Sequence, residues 1–217
     1  MVEKYERELA VSREIFGEVF ETAGGKGHRF FHQVRVANYC EKFADKFGIE
    51  GERKEILVLA GLFHDIGKTS RITEDGVLDG SQKADEKLGS HVSKELVYKE
   101  LCKYLGLIRD NKILEAIADI ISSKESTESK ILCDADNLDE LGFVNIWKMF
   151  TYAGACKVSL ENSISYYFTE DRPRLLKKSE EVLYFDYSKL LARERISKVD
   201  DVLNALINES RGGDILT

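Results

Sequence analysis

A single proline, Pro173, is present among the 217 residues of this chain. Proline breaks helices because it lacks a backbone N–H and its ring clashes with the preceding turn, so most of this chain is free of helix breakers. Apolar residues recur at helical spacing, and no stretch has the alternation that is typical of a strand. We therefore expect an all-α protein without strands, a multi-helix bundle with additional C-terminal helices.

Charge and composition restrict the classes of partner. The net charge of −7 argues against a large surface for nucleic-acid polymers or anionic membranes. No segment approaches the ~20 consecutive apolar residues that a membrane-spanning helix needs, and the N-terminus lacks the apolar core of a signal peptide. The cysteines are scattered, without Cys-x-x-Cys spacing, and this is typical of reduced thiols in a cytoplasmic protein: Cys40, Cys102, Cys133 and Cys156.

One segment combines a buried helix with polar side chains that can do chemistry. Residues 56–63 are all apolar or glycine, which is typical of a helix that is buried on most faces. His64 and Asp65 follow directly, and Lys68 lies three residues after Asp65. A buried imidazole–carboxylate pair needs a partner, and a divalent cation is the obvious candidate.

A second group of candidates lies on a helix predicted over residues 30–47. His32 and Arg35 are three residues apart and lie on neighbouring faces of this helix. His28 is four residues before His32 and reaches the same site if the helix begins early. The glycine-rich residues 23–27 form either a phosphate cradle or a plain interhelical loop, and the missing Lys-Ser/Thr ending favours the loop.

Two further candidates come later in the chain. His91 lies beside the apolar stripe of a helix predicted over residues 84–105. Asp136 falls between Asp134 and Asp139, and three carboxylates this close repel one another unless they point apart or meet a cation. Taken singly, a histidine on an amphipathic helix is usually structural and an aspartate usually lies at the surface. Together, imidazole and carboxylate groups suit Mn, Fe, Co, Ni or Zn.

The order of these residues resembles the HD-domain superfamily of metal-dependent phosphohydrolases. The family pattern is His … His-Asp … Asp, and this chain has His32, His64-Asp65 and Asp136 at similar separations. The resemblance is closest to small bacterial and archaeal members with an Asp-Ala-Asp-x-Leu-Asp segment, which is here residues 134–139. It covers residues 25–152.

The resemblance implies an all-α HD-domain bundle that holds a divalent metal between its helices, and we expect Mn, Co, Ni, Mg, Fe or Zn. By motif matching, the metal ligands are His32, His64, Asp65 and Asp136. Family members with two metals carry further histidines before the last aspartate, whereas residues 120–124 here are Ile-Ile-Ser-Ser-Lys. We therefore expect one metal per chain, which disfavours the oxygenase and cyclic-dinucleotide phosphodiesterase branches, since both use two metals.

The family mechanism, carried over, is hydrolysis of a phosphate ester by attack of a metal-activated water. Asp65 would position or deprotonate this water. Lys68, with His91 or His28, would stabilise charge on the phosphoryl oxygens or protonate the leaving group. Arg35 would either neutralise a phosphate or pair with an acidic side chain. The expected partner is a small phosphorylated substrate, a nucleotide or another small phosphate ester.

Three segments are expected along the chain. Residues 1–24 hold an N-terminal helix, predicted over residues 3–22, that packs on the domain; residues 25–152 form the HD-domain core. Residues 153–217 form a helical extension of the same globule, which completes the bundle, covers the site or makes a homodimer contact. The alternative to an enzyme is a ligand-binding or regulatory module that keeps the metal but has little or no catalysis.

Overall fold

The computed structural model describes residues 4–21, 24–72, 75–77, 93–213 and 215, and His91 lies outside them. The described part is helical, which confirms the all-α prediction. A 3₁₀ segment covers Ile66–Arg71 and a π-helical segment covers Tyr167–Asp171. The α-helices, in chain order, are α1 (Glu6–Phe16), α2 (His28–Phe47), α3 (Gly51–Phe63), α4 (Lys94–Leu105), α5 (Asn111–Ser122), α6 (Thr127–Glu140), α7 (Phe143–Ala155), α8 (Leu160–Tyr166), α9 (Arg172–Glu181) and α10 (Asp186–Ser210).

A small antiparallel hairpin takes up part of the segment that the sequence predicts as helix over residues 3–22. Its strands, β1 (Phe20–Glu21) and β2 (Gly25–Lys26), contain two residues each. Helix α1 ends at Phe16, ahead of Gly17, the weakest helix former in this segment. The expectation of no strand was wrong here because strands of two residues are too short to leave an alternating pattern in a sequence.

Helices α2 and α3 pack closely against each other. Residues 57–63 of α3 are all buried, as the apolar run predicts. A Cβ added at Gly61 would lie 2.9 Å from the Ala37 Cα and 3.0 Å from the Cys40 Sγ, both on α2. Real Cβ contacts are rarely this short, so the two backbones approach this closely because residue 61 has no side chain. Helix α5 packs on both α3 and α4.

Helix α3 stops where the sequence places its polar pair. The helix ends at Phe63, and His64 and Asp65 form the turn that follows it. The Asp65 carbonyl accepts a hydrogen bond from the Lys68 N–H at 2.8 Å, which tightens the chain into the 3₁₀ segment. The buried helix therefore acts as a fixed base for both side chains.

The chain divides into two compact units, residues 1–136 and residues 137–217. Within the second unit, the Asp200 carboxylate accepts hydrogen bonds from the buried Tyr167 hydroxyl at 3.0 Å and from the Arg172 Nε at 2.8 Å. This contact ties α10 to the π-helical segment and the start of α9. The segment boundaries expected from the sequence stay a prediction.

Two further observations concern the apolar length of the helices and the state of the cysteines. No helix within these ranges is long and apolar enough to cross a membrane. The four cysteines all lie in the described ranges, and none of them forms a disulfide. Burial raises the pKa of the Cys40 thiol, and the negative charge of Asp136 raises it further, so this thiol stays protonated behind Asp136.

We predict that Gly61→Ala destabilises the protein by about 1–3 kcal/mol, because the new methyl group overlaps Ala37 in the contact between α2 and α3. Gly154→Ala is the matched control, since Gly154 also lies in a helix and a Cβ there meets no atom within 4 Å. The control should keep the free energy of unfolding or raise it by up to about 1 kcal/mol. Urea denaturation followed by circular dichroism measures both variants. Equal stability of the wild type and Gly61→Ala would contradict the close approach of the helices.

Candidate metal centre

Three helices bring the candidate ligands together. His32 lies in the second turn of α2, His64 directly follows α3, and Asp136 lies in α6. His32 is only 6% exposed. Because α2 and α3 are in close contact at Gly61, the two imidazole rings meet, with their ring centroids 5.0 Å apart.

One atom from each of these residues lies in a small triangle. The His32 Nε2 and the His64 Nε2 are 3.1 Å apart. The Asp136 Oδ1 lies 3.2 Å from the His32 Nε2 and 3.4 Å from the His64 Nε2. Three atoms with lone pairs therefore converge on one point, and this is the arrangement that a cation requires.

The orientation of the His64 ring is set by the backbone behind it. The His64 Nδ1 lies 2.9 Å from the Gly61 carbonyl oxygen. A carbonyl oxygen can only accept, so Nδ1 must carry the hydrogen in this contact. In the neutral ring the Nε2 lone pair is then directed toward His32 and Asp136, as it is in histidines that bind metals.

The triangle has the size that a divalent metal ion demands. Ligands at about 2.1 Å from a metal, with angles between the tetrahedral and octahedral values, lie about 3.0–3.4 Å from one another. The three observed distances, 3.1, 3.2 and 3.4 Å, fall in this range. His32, His64 and Asp136 could therefore hold one divalent ion, and two imidazoles with a carboxylate suit the later first-row metals.

Asp136 is ionised and partly open to solvent. Burial would raise the pKa of its carboxyl group, but the electrostatic interaction with His64 and the contacts with the His32 and His64 rings outweigh this and hold the pKa below its usual range. The side chain is 43% exposed, whereas the His32 and His64 side chains are each 7% exposed. The centre is therefore open on the side of Asp136, where water or a substrate can enter.

Asp65 borders the triangle. Its Oδ2 lies 3.6 Å from the His64 Nε2 and 3.8 Å from the His32 Nε2. Its side chain is 4% exposed, and burial would raise its pKa. Electrostatic interactions with His64, Lys68 and Arg29 outweigh this effect and hold the pKa well below its usual range, so Asp65 is a buried carboxylate.

The structure also places the other candidates named from the sequence. The Lys68 Nζ lies 2.7 Å from the Asp65 Oδ1, and the Lys68 side chain is 38% exposed. The His28 ring stacks near that of His32, with a centroid distance of 6.3 Å. Arg35 lies one turn further along α2 and is half-buried. His91 lies outside the described residues.

Sequence reasoning missed two charged residues at this site. The Arg29 Nη1 donates to the Asp65 Oδ2 at 2.5 Å, and its Nε donates to the Glu21 Oε1 at 2.7 Å. Arg29 stands next to His28 at the start of α2, but nothing in its spacing links it to Asp65. Glu21 lies on strand β1, which the sequence does not predict. Only the three-dimensional structure brings these residues to the centre.

Comparison with protein families agrees with this geometry. The family model of the HD domain matches residues 29–141. This chain belongs to the HD domain family. The matched segment contains His32, His64, Asp65 and Asp136, and the family is one of metal-dependent phosphohydrolases. No curated protein matches the chain by sequence.

Solved structures share the fold at low sequence identity. Bacillus subtilis YpgQ in complex with ADP is 21% identical, with a TM-score of 0.60 over 93% of this chain and 97% of that chain. The selenomethionine form of YpgQ is 20% identical, with a TM-score of 0.62 over 96% and 94% of the two chains. An HD-superfamily hydrolase from Bacillus thuringiensis is 22% identical, with a TM-score of 0.62 over 96% and 97%. These likenesses extend the HD fold over nearly the whole chain.

We predict that Mn²⁺ raises the melting temperature of the wild-type protein and that His64→Ala loses this shift. A ligand that binds only the folded state stabilises it by about 2.7 kcal/mol at a hundred times its dissociation constant. Thermal unfolding with added Mn²⁺, and again with a chelator, measures the shift. His28→Ala is the matched control and should keep it, since His28 is outside the triangle. A full Mn²⁺ shift in His64→Ala would count against His64 as a ligand.

Proposed function

We propose that this protein is a metal-dependent phosphohydrolase that cleaves a nucleotide or another small phosphate ester by attack of a metal-activated water. The observation that carries the proposal is the convergence of the His32 Nε2, the His64 Nε2 and the Asp136 Oδ1 within 3.1–3.4 Å. A buried carboxylate, Asp65, and a partly exposed cation, Lys68, lie beside them. These are the groups that phosphoryl transfer to water requires.

The centre would hold one divalent ion per chain, from the set Mn, Co, Ni, Mg, Fe and Zn. We propose His32, His64 and Asp136 as its ligands, with Asp65 as the fourth. When bound, such an ion lowers the pKa of a water molecule and polarises a phosphoryl oxygen. The exposed side of Asp136 leaves room for water and substrate.

Asp65 would orient the attacking water or accept its proton. It is ionised, it is almost fully buried, and its carboxylate is held by contacts on both oxygens. A carboxylate fixed in this way loses little freedom when it forms one more hydrogen bond, so it can direct a water without reorganising.

Lys68 would bind the phosphoryl oxygens of the substrate. Its ammonium group is 2.7 Å from Asp65 and its side chain remains 38% exposed, so it can reach an anion at the open side of the centre. His28, and His91 from outside the described residues, are proposed to protonate the leaving group or to stabilise phosphoryl charge. Arg35 is proposed as a further phosphate contact.

Nucleoside phosphates are the first substrates to test. The related fold of Bacillus subtilis YpgQ was crystallised in complex with ADP. We propose a small cytoplasmic phosphate ester because the net charge of −7 disfavours polymeric nucleic acid and the cysteines form no disulfide. Nucleoside mono-, di- and triphosphates, sugar phosphates and a chromogenic phosphodiester, each with Mn, Co, Ni and Mg, form the panel.

The panel separates an enzyme from a binding module. We expect turnover of at least one phosphate ester by the wild-type protein with an added metal and its loss in His64→Ala. Wild-type protein that carries metal but is inert on every substrate would contradict the proposal and favour the regulatory module.

We predict that Lys68→Met lowers kcat/KM by about 10²–10³-fold, because a cation aimed at the phosphoryl oxygens is removed. The variant should still bind one Mn²⁺, since Lys68 is not in the triangle of ligand atoms. Lys99→Met, at an exposed position on α4, is the matched control and should keep the wild-type rate. Steady-state kinetics on the best substrate of the panel measures all three proteins. A wild-type rate in Lys68→Met would remove Lys68 from the mechanism.

A further inference from the structure

A guanidinium group joins two largely buried carboxylates next to the candidate metal centre. On one side, the Arg29 Nε donates to the Glu21 Oε1 at 2.7 Å, and the Nη2 contacts the same oxygen. On the other side, the Arg29 Nη1 donates to the Asp65 Oδ2 at 2.5 Å. The side chains of Arg29, Glu21 and Asp65 are 16%, 13% and 4% exposed. The three groups therefore form a row, Glu21–Arg29–Asp65, that is largely shielded from water.

In this row, one cation, Arg29, is shared between the buried carboxylate of Asp65 and the largely buried carboxylate of Glu21. Two carboxylates in so dry a place need a positive charge between them, because their mutual repulsion is weakly screened. A divalent ion can supply that charge, and so can an arginine. Here the arginine supplies it, and a single substitution can remove it.

The second oxygen of Asp65 is also engaged by a cation of the chain. The Asp65 Oδ1 lies 2.7 Å from the Lys68 Nζ, while the Oδ2 receives the Arg29 Nη1. A second divalent ion could therefore bind Asp65 only if it displaced Arg29 from one oxygen or Lys68 from the other. In Asp65 one oxygen faces the two histidines and Arg29 together, and the other faces Lys68.

We propose that Arg29 is a built-in cation that takes the place of a second divalent ion between Glu21 and Asp65, and so limits the centre to a single metal. The inference rests on the proposed metal centre. It attributes the number of ions in that centre to one residue, Arg29. A second ion at this place would have to displace the guanidinium from both carboxylates and leave a buried arginine beside two dications. That arrangement is strongly unfavourable.

Removal of the guanidinium tests the proposal. Arg29→Ala leaves Glu21 and Asp65 facing each other across a space without a positive charge, and two carboxylates around such a space attract a divalent ion. The expected shift is from one Mn²⁺ per chain in the wild type to two in Arg29→Ala. The double variant Glu21→Gln/Arg29→Ala should return to one, because the second carboxylate is gone.

Mn²⁺ titration by calorimetry gives the number of ions, and electron paramagnetic resonance shows whether two ions lie close together. The wild type should give the spectrum of an isolated Mn²⁺, and Arg29→Ala should give that of a spin-coupled pair. Arg29→Lys keeps a positive charge and should restore the isolated ion. Arg53→Ala is the matched control, because Arg53 also pairs with a glutamate, Glu128, but at an exposed position; it should bind one ion.

Two results would overturn the inference. One is a wild-type protein that binds two coupled Mn²⁺ ions with Arg29 in place, and this measurement does not depend on whether Arg29→Ala folds. The other is a folded Arg29→Ala that still binds one isolated ion. A wild-type protein with one Mn²⁺ and no turnover would count against the proposed function and leave this inference intact. Turnover by a wild-type protein that binds two coupled Mn²⁺ ions would support the proposed function and contradict this inference.

Discussion

The centre depends on the absence of one side chain. Gly61 lets α2 and α3 approach until an added Cβ would lie 2.9 Å from the Ala37 Cα. This approach brings the Nε2 atoms of His32 and His64 to 3.1 Å from each other. The same residue offers its carbonyl oxygen to the His64 Nδ1 at 2.9 Å and so determines which way the ring presents its lone pair. A single glycine thus sets both the distance between two candidate ligands, His32 and His64, and the orientation of the His64 ring.

The charges around this contact are balanced within the chain. Asp65 is buried and ionised because Arg29 and Lys68 each contact one of its oxygens. Asp136 is ionised because both histidines lie within hydrogen-bonding distance of its carboxylate. The carboxylates that would attract a metal are therefore already in position without it. Folding of the chain offsets the free energy that is needed to bring these negative charges together.

The sequence was sufficient to predict the helical class and the residues of the triangle. A long apolar run followed by His64-Asp65 indicates a buried helix with a polar end, and the order with His32 and Asp136 is specific to a family. The sequence could not reveal the hairpin that carries Glu21, because strands of two residues have no periodicity. Without that strand, the sequence predicts only an exposed charge for Arg29. Its partners lie 8 and 36 residues away, and only tertiary structure brings them together.

The residue directly before helix α2 has a backbone conformation that few amino acids other than glycine adopt. Gly27, just before His28, has a φ of 73°, its N–H bonds to the Val19 carbonyl, and a Cβ there would lie 3.0 Å from the Gly17 carbonyl oxygen. A substitution at Gly27 would rotate or shift the first turn of α2, which carries Arg29 and leads into His32. In a genetic screen for loss of function, we expect this glycine to be as sensitive to substitution as the candidate metal ligands, although it has no side chain to take part in the chemistry. Sensitivity to mutation is therefore expected at residues that set the backbone conformation leading to the centre, and not only at the functional groups within it.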